Sequence, residues 1–129
     1  MREPLHILVV DDDGDVREII ADTLVDLGYR VSVATGGETM RAFLETPDPV
    51  DLIVLDASVP GEPSLSLALH AKDQGIRLVM ISGNPAKMQE FHDRADQLLW
   101  KPFRREGLKA AIEQALFSTV SGQRREDRD

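Results

Sequence analysis

Residues 52–55, Leu-Ile-Val-Leu, form an uninterrupted apolar run, partly β-branched and too short for an ordinary helix. A strand with no polar residue on either side has to be covered on both faces. That is the situation of a parallel sheet packed between helices. The run ends on a carboxylate, Asp56, and the Pro60-Gly61 dipeptide then turns the chain. Asp56 is therefore expected at the carboxyl end of a buried strand, the edge at which open α/β sheets bind their ligands. Taken alone, an Asp at such a place does no more than begin a turn; its meaning depends on what the rest of the chain brings to the same edge.

The unit of buried strand, loop and amphipathic helix recurs. Residues 5–10 are a first strand closed by Asp11-Asp12-Asp13-Gly14, after which Val16, Ile19, Ile20, Thr23, Leu24 and Leu27 repeat at helical spacing up to Gly28. Residues 30–34 read as a second strand. Thr35 and Glu38 then have capping-box spacing ahead of a short helix carrying Met40, Phe43 and Leu44, which Pro47 and Pro49 end. After the Asp56 strand, Pro63 opens a helix to about Asp73, with Gly75 as punctuation. Residues 76–81 are a fourth strand, and Asn84 as N-cap with Pro85 at the first position starts a helix to about Arg94. A fifth strand at 97–100 runs into Lys101-Pro102-Phe103, and Leu108, Ala111, Ile112, Ala115 and Leu116 mark the last helix. Residues 1–117 are expected to form one domain, and 118–129 a polar tail of mixed charge. Five strands alternating with five helices predict an α/β, doubly wound, five-stranded parallel sheet with helices on both faces. The strand order 2-1-3-4-5, flavodoxin-like, has its switch point between the first and third strands and brings Asp11 and Asp12 beside Asp56.

Composition narrows the function. At 129 residues and 42% hydrophobic content, one core is the default. A formal charge of −8 repels nucleic acid and anionic membranes, and the one dense basic run, Arg124-Arg125, is interleaved with acids. The absence of cysteine excludes a disulfide scaffold, a thiolate metal site and cysteine catalysis. No apolar run approaches the ~20 residues of a membrane helix, and nothing at the N-terminus has the pattern of a signal peptide. A cytoplasmic protein, monomeric or weakly dimeric, is expected.

Three carboxylates gathered at one sheet edge raise one another's pKa, and a divalent cation resolves the conflict. With only hard oxygen donors available, the natural ion is Mg²⁺, its octahedron completed by waters and a substrate phosphate. Lys101, ending the fifth strand, reaches the same opening as a point charge for phosphate, and Ser82, ending the fourth, offers a hydroxyl. Gly83 leaves space for a bulky anion. Asp56 is then best used as a nucleophile toward phosphorus, assisted by the cation and Lys101.

With Asp11-Asp12, Asp56, Pro60-Gly61, Ser82-Gly83 and Lys101-Pro102-Phe103 in this order, residues 5 to about 117 resemble a response-regulator receiver domain (CheY-like) of two-component signalling. The resemblance implies that Asp56 is the phosphoacceptor, that Asp11, Asp12, Asp56 and the backbone carbonyl of Ser58 surround Mg²⁺, and that Ser82 and Lys101 contact the phosphoryl group. It also implies a cis Lys101-Pro102 bond. Phosphate would come from a sensor histidine kinase or a phosphotransfer protein, and the output would be a downstream protein partner. The departures bear on kinetics and output. Ser58 and Asn84 stand at positions that tune acyl-phosphate lifetime in this family, and neither is the residue of the chemotaxis prototype. Leu98 stands where many relatives carry a switch Tyr or Phe, with Trp100 on the same side of the strand, and Ser64 replaces a glycine usual in the loop after Pro-Gly.

The expected function is a single-domain receiver without an effector enzyme domain. A small phosphatase of the haloacid-dehalogenase type is an alternative, because Asp11 and Asp13 also fit its Asp-x-Asp-Gly loop, although no acidic motif follows the lysine. An unphosphorylated pseudo-receiver is another, opposed by the complete acid set. Asp13 and Asp15 otherwise serve the first helix as cap and dipole partners. His6, His70 and His92 are too scattered for a metal site, and Arg104-Arg105 reads as a solvated face.

Overall fold

The computed structural model describes residues 4–117. Strands β1 (His6–Val10), β2 (Arg30–Ala34), β3 (Leu52–Asp56), β4 (Arg77–Ser82) and β5 (Gln97–Trp100) alternate with helices α1 (Gly14–Asp26), α2 (Gly37–Leu44), α3 (Ser64–Asp73), α4 (Pro85–Glu90) and α5 (Arg105–Phe117). The sheet is parallel throughout, in the order β2-β1-β3-β4-β5. The tail expected at 118–129 lies outside the described residues.

Because strand side chains alternate between faces, the central strands feed two cores. Leu8, Val10, Ile53, Leu55, Leu78 and Met80 meet Met40 of α2 and Leu67, Ala68 and Ala71 of α3, together with Phe91. Ile7, Val9, Leu52, Val54, Val79 and Ile81 meet Ile20 and Leu24 of α1 and Leu108, Ala111, Ile112 and Ala115 of α5. Each fully buried Leu or Ile contributes about 1.5–3 kcal/mol, so all-apolar strands are stable only with helices on both sides.

Helix ends follow local chemistry, with three corrections to the sequence reading. Asp13 caps α1, its carboxylate accepting from the Asp15 and Val16 amides, and Gly28 follows the C-cap with φ +99°. The expected Thr35/Glu38 capping box does not form. Instead Gly36 is the N-cap of α2, and the Thr39 hydroxyl accepts from the Thr35 and Gly36 amides. Helix α4 ends at Glu90 rather than near Arg94, because Phe91 is buried as its C-cap and Asp96 already pairs with Leu78 to begin the edge strand. Ser64, read as a loop residue, is the buried first residue of α3, and its hydroxyl donates to the Ala57 carbonyl at 2.6 Å.

At the amino end of β1, His6 is buried and paired on every side. Its amide donates to Asp51 Oδ2, and the two ring nitrogens meet the Pro49 carbonyl and Ser32 Oγ, all at 2.8 Å. The Pro49 carbonyl only accepts, so the tautomer with its proton on Nδ1 satisfies it and lets Nε2 accept from Ser32, while Arg30 Nη2 lies 3.2 Å from the same Nδ1. Phe43 packs edge-on against the imidazole at 5.6 Å, and Arg30 forms a two-pronged ion pair with Asp48 beside it. His6 is thus structural.

Candidate functional site

The opposite edge of the sheet holds the acids. Asp11 follows β1, its amide donating to the Ala34 carbonyl of β2. The turn that starts α1 is held by the Asp13 amide donating to Asp11 Oδ1 at 2.9 Å. Asp56 ends β3, and its Oδ1 accepts from the Ser58 amide at 3.2 Å. Ligand oxygens of Asp11, Asp12 and Asp56 all lie within 4.8 Å of one another. Asp11 and Asp56 are 1% and 6% exposed, whereas Asp12 faces solvent.

Lys101 enters from the other side of β3. Its amide extends the β4–β5 ladder to the Ser82 carbonyl, and its peptide bond to Pro102 is cis, as the resemblance implied. The ammonium lies 3.3 Å from Asp56 Oδ2 and 3.5 Å from Asp11 Oδ2. Burial alone would lower the Lys101 pKa, but the Asp56 and Asp11 charges more than offset it and raise the pKa above its ordinary value. Burial, reinforced by the Asp56 charge, raises the Asp11 carboxyl despite the Asp13 hydrogen bond and the Lys101 charge. Asp11 Oδ2 is buried without a hydrogen-bond partner. An oxygen with an unfilled lone pair, beside two further carboxylates and no soft donor, fits a hard divalent cation.

Ser82 is buried, and its Oγ accepts from the Asn84 amide at 2.9 Å. Asn84 is the N-cap of α4, its Oδ1 accepting from Ala86 and Lys87, so its side-chain oxygen is already engaged. A Cβ added at Gly83 would lie 3.5 Å from the Lys101 carbonyl, in ordinary contact with backbone. Leu98 pairs with Met80 and packs half-buried on the core that contains Phe91, while Trp100, opposite Ser82, is 51% exposed. The Ser58 side chain points to solvent.

These geometries separate the readings. Asp13, which a phosphatase of the Asp-x-Asp type would use, is spent on capping α1. Arg17, not singled out from sequence, donates from Nη1 to the Asp11 carbonyl at 2.8 Å. Its place one helical turn after Asp13 was the available signal. The sequence matches the response regulator receiver domain over residues 7–113. The chain belongs to that family. Domains of this family are signalling modules of two-component systems, and the acid cluster is compatible with Mg²⁺ and phosphorylation.

Among curated relatives, a probable transcriptional regulator, ycf27, of Cyanidium caldarium is 31% identical over 86% of this chain and 46% of its own length. The phosphate regulon transcriptional regulatory protein PhoB of Pseudomonas aeruginosa is 32% identical over 90% of the chain and 53% of its own length. The chain thus spans about half the length of the curated relatives it matches. Among solved structures, the chemotaxis response regulator CheY4 of Vibrio cholerae superposes with a TM-score of 0.79 at 27% identity, over 88% of this chain and 99% of that one. No helix among the described residues is long and apolar enough to cross a membrane.

Proposed function

We propose that this receiver accepts a phosphoryl group on Asp56 from the phosphohistidine of a sensor histidine kinase or phosphotransfer protein, in a Mg²⁺-dependent step. One observation carries the reading. Asp56 ends the middle strand, with Asp11 and Asp12 entering from β1 on one side and Ser82 and Lys101 from β4 and β5 on the other. Asp11, Asp12, Asp56 and the Ser58 carbonyl would hold the ion, which supplies positive charge to phosphoryl oxygens when bound.

The chain's own groups divide the chemistry. An Asp56 carboxylate oxygen forms the new bond to phosphorus while the phosphorus–nitrogen bond of the donor breaks, its electron pair staying on an imidazole that takes up a proton. Lys101, kept protonated by its two carboxylate neighbours, neutralises charge on the transferred group. Ser82 Oγ would turn to the phosphoryl group and give up the Asn84 amide, loosening the start of α4. Leu98, already packed half inward and without a hydroxyl, gives little further movement, so output runs through residues 82–90 to a downstream protein partner.

The remaining assignments belong to the same proposal. Residues 1–117 form the receiver, which works in the cytoplasm as a monomer or weak dimer and, at a net charge of −8, does not itself bind nucleic acid or membrane. Incubation with Mg²⁺ and acetyl phosphate, read by intact mass, tests the central step. A gain of one phosphoryl group that needs Mg²⁺ and vanishes in Asp56→Asn is expected; phosphorylation that persists in Asp56→Asn refutes it.

A further inference from the structure

Outside the acid cluster, a group of side chains ties the turn after Asp56 to two helices. Arg41 of α2 donates from Nε and Nη2 to the two oxygens of Glu62, 2.6 Å each. The Ser66 hydroxyl, in the first turn of α3, donates to the same carboxylate. Closer to the site, Ser64 holds the Ala57 carbonyl, and the Gly37 amide donates to the Pro60 carbonyl at 3.4 Å. The approach depends on a missing side chain, because a Cβ at Gly37 would lie 3.2 Å from the Cβ of Glu62.

The tied segment contains Ser58, whose amide orients Asp56 and whose carbonyl is the fourth proposed ligand. Mg²⁺ demands near-ideal octahedral geometry, and loops are mobile unless something orders them. A bidentate Arg–carboxylate pair fixes direction as well as distance. We propose that Arg41, Glu62 and Ser66 form a clasp that positions residues 57–62 for phosphoryl transfer at Asp56 and couples α2 to that site, Arg41 and Glu62 being positioning residues. The idea rests on the phosphoacceptor reading given above. By linkage, Mg²⁺ binding at the acids and tightening of α2 against the loop then favour one another.

The test compares wild type with Arg41→Gln, Arg41→Lys and Glu62→Gln. In wild type, Mg²⁺ should slow amide hydrogen exchange both at residues 57–62 and at 37–41 in the first turn of α2. In Arg41→Gln and Glu62→Gln the slowing at 37–41 should be lost, and the rate of acetyl-phosphate-dependent phosphorylation should fall roughly two- to tenfold. Arg41→Lys, which keeps the charge without the fork, should lie between. All three are expected to melt within a few degrees of wild type, since the pair is partly exposed and screened. Normal Mg²⁺ binding with unchanged rates in Arg41→Gln overturns the clasp. So does a loss of rate that tracks melting temperature and is equal in Gln and Lys. If wild type binds no Mg²⁺, the reading of the site fails first and the clasp's role falls with it.

Discussion

Strand β1 ends in a polar cluster at both extremities, and the two differ in how completely their atoms are paired. His6 and Asp11 are each 1% exposed. Around His6, both ring nitrogens and the amide have partners at 2.8 Å. Around Asp11, Oδ2 has no hydrogen bond and the nearest cation is 3.5 Å away. Burial of polar groups therefore does not by itself mark a working site. A buried group whose bonds are complete holds structure together, and one left incomplete is poised to take a ligand.

Several perturbations bear on that contrast, beginning with the largest. Asp56→Asn should abolish phosphoryl uptake altogether, while His6→Ala should leave it near the wild-type rate in protein that remains folded. A large rate effect of His6→Ala, measured well below its melting temperature, would break the separation of the two ends. His6→Ala should instead destabilise by about 2–4 kcal/mol, because it strips the ring partners of Ser32 and the Pro49 carbonyl in a buried place while leaving the backbone bond to Asp51; urea unfolding measures this. Asp11→Asn should do the reverse in the metal-free protein. The raised Asp11 pKa means that its charge is disfavoured in the fold, so neutralising it should lift Tm by about 2–5 °C while Mg²⁺ binding is lost. A fall in Tm would mean that the Lys101 contact outweighs the burial.

Two smaller effects sharpen the comparison. A phosphoryl mimic should change hydrogen exchange most at residues 82–90, little at 97–100, and not at all around His6. The largest change at the fifth strand would make Leu98 a working switch. Glu62 asks whether pairing matters more than location, since it is fully paired yet belongs to the carboxyl edge. Arg41 and then Ser66 hold its pKa down to about 2 from 4.5. A depressed acid stabilises the fold above its unfolded pKa and loses that contribution as pH falls toward its folded value. The difference in Tm between wild type and Glu62→Gln should therefore be constant above pH 4.5 and close between 4.5 and 2. A difference that widens with acid contradicts the pairing.

Local pattern made the sheet legible. The second and fifth strands have the bounds read from the sequence, and the placement of Asp11, Asp12, Asp56 and Lys101 follows from strand order alone, because each sits where a strand ends. What escaped depends on partners distant in sequence. Arg41 meets Glu62 across 21 positions and His6 meets Ser32 across 26, with no periodicity to announce either. The helix after Asn84 was read too long because His92, Asp93 and Arg94 contain no breaker; tertiary burial of Phe91 stops it. The capping of α2 was misassigned because Thr35 and Thr39 both fit a hydroxyl cap, and only the close packing of Gly37 on Glu62 decides where the helix begins.

Between His6 and Asp11, β1 is Ile-Leu-Val-Val, apolar toward both faces of the sheet. In most strands a shift by one position is punished because it turns oil toward water. Here such a shift would exchange one aliphatic side chain for another in either core and would be nearly invisible to hydrophobic burial. The polar ends are what make the alignment unique. A displaced strand would pull the imidazole away from Pro49 and Ser32 at one end and move the acid out of line with Asp56 at the other. The two ends act as the graduations of a ruler whose middle is blank, so mutations that erase both should give a chain that still collapses but threads β1 in more than one way.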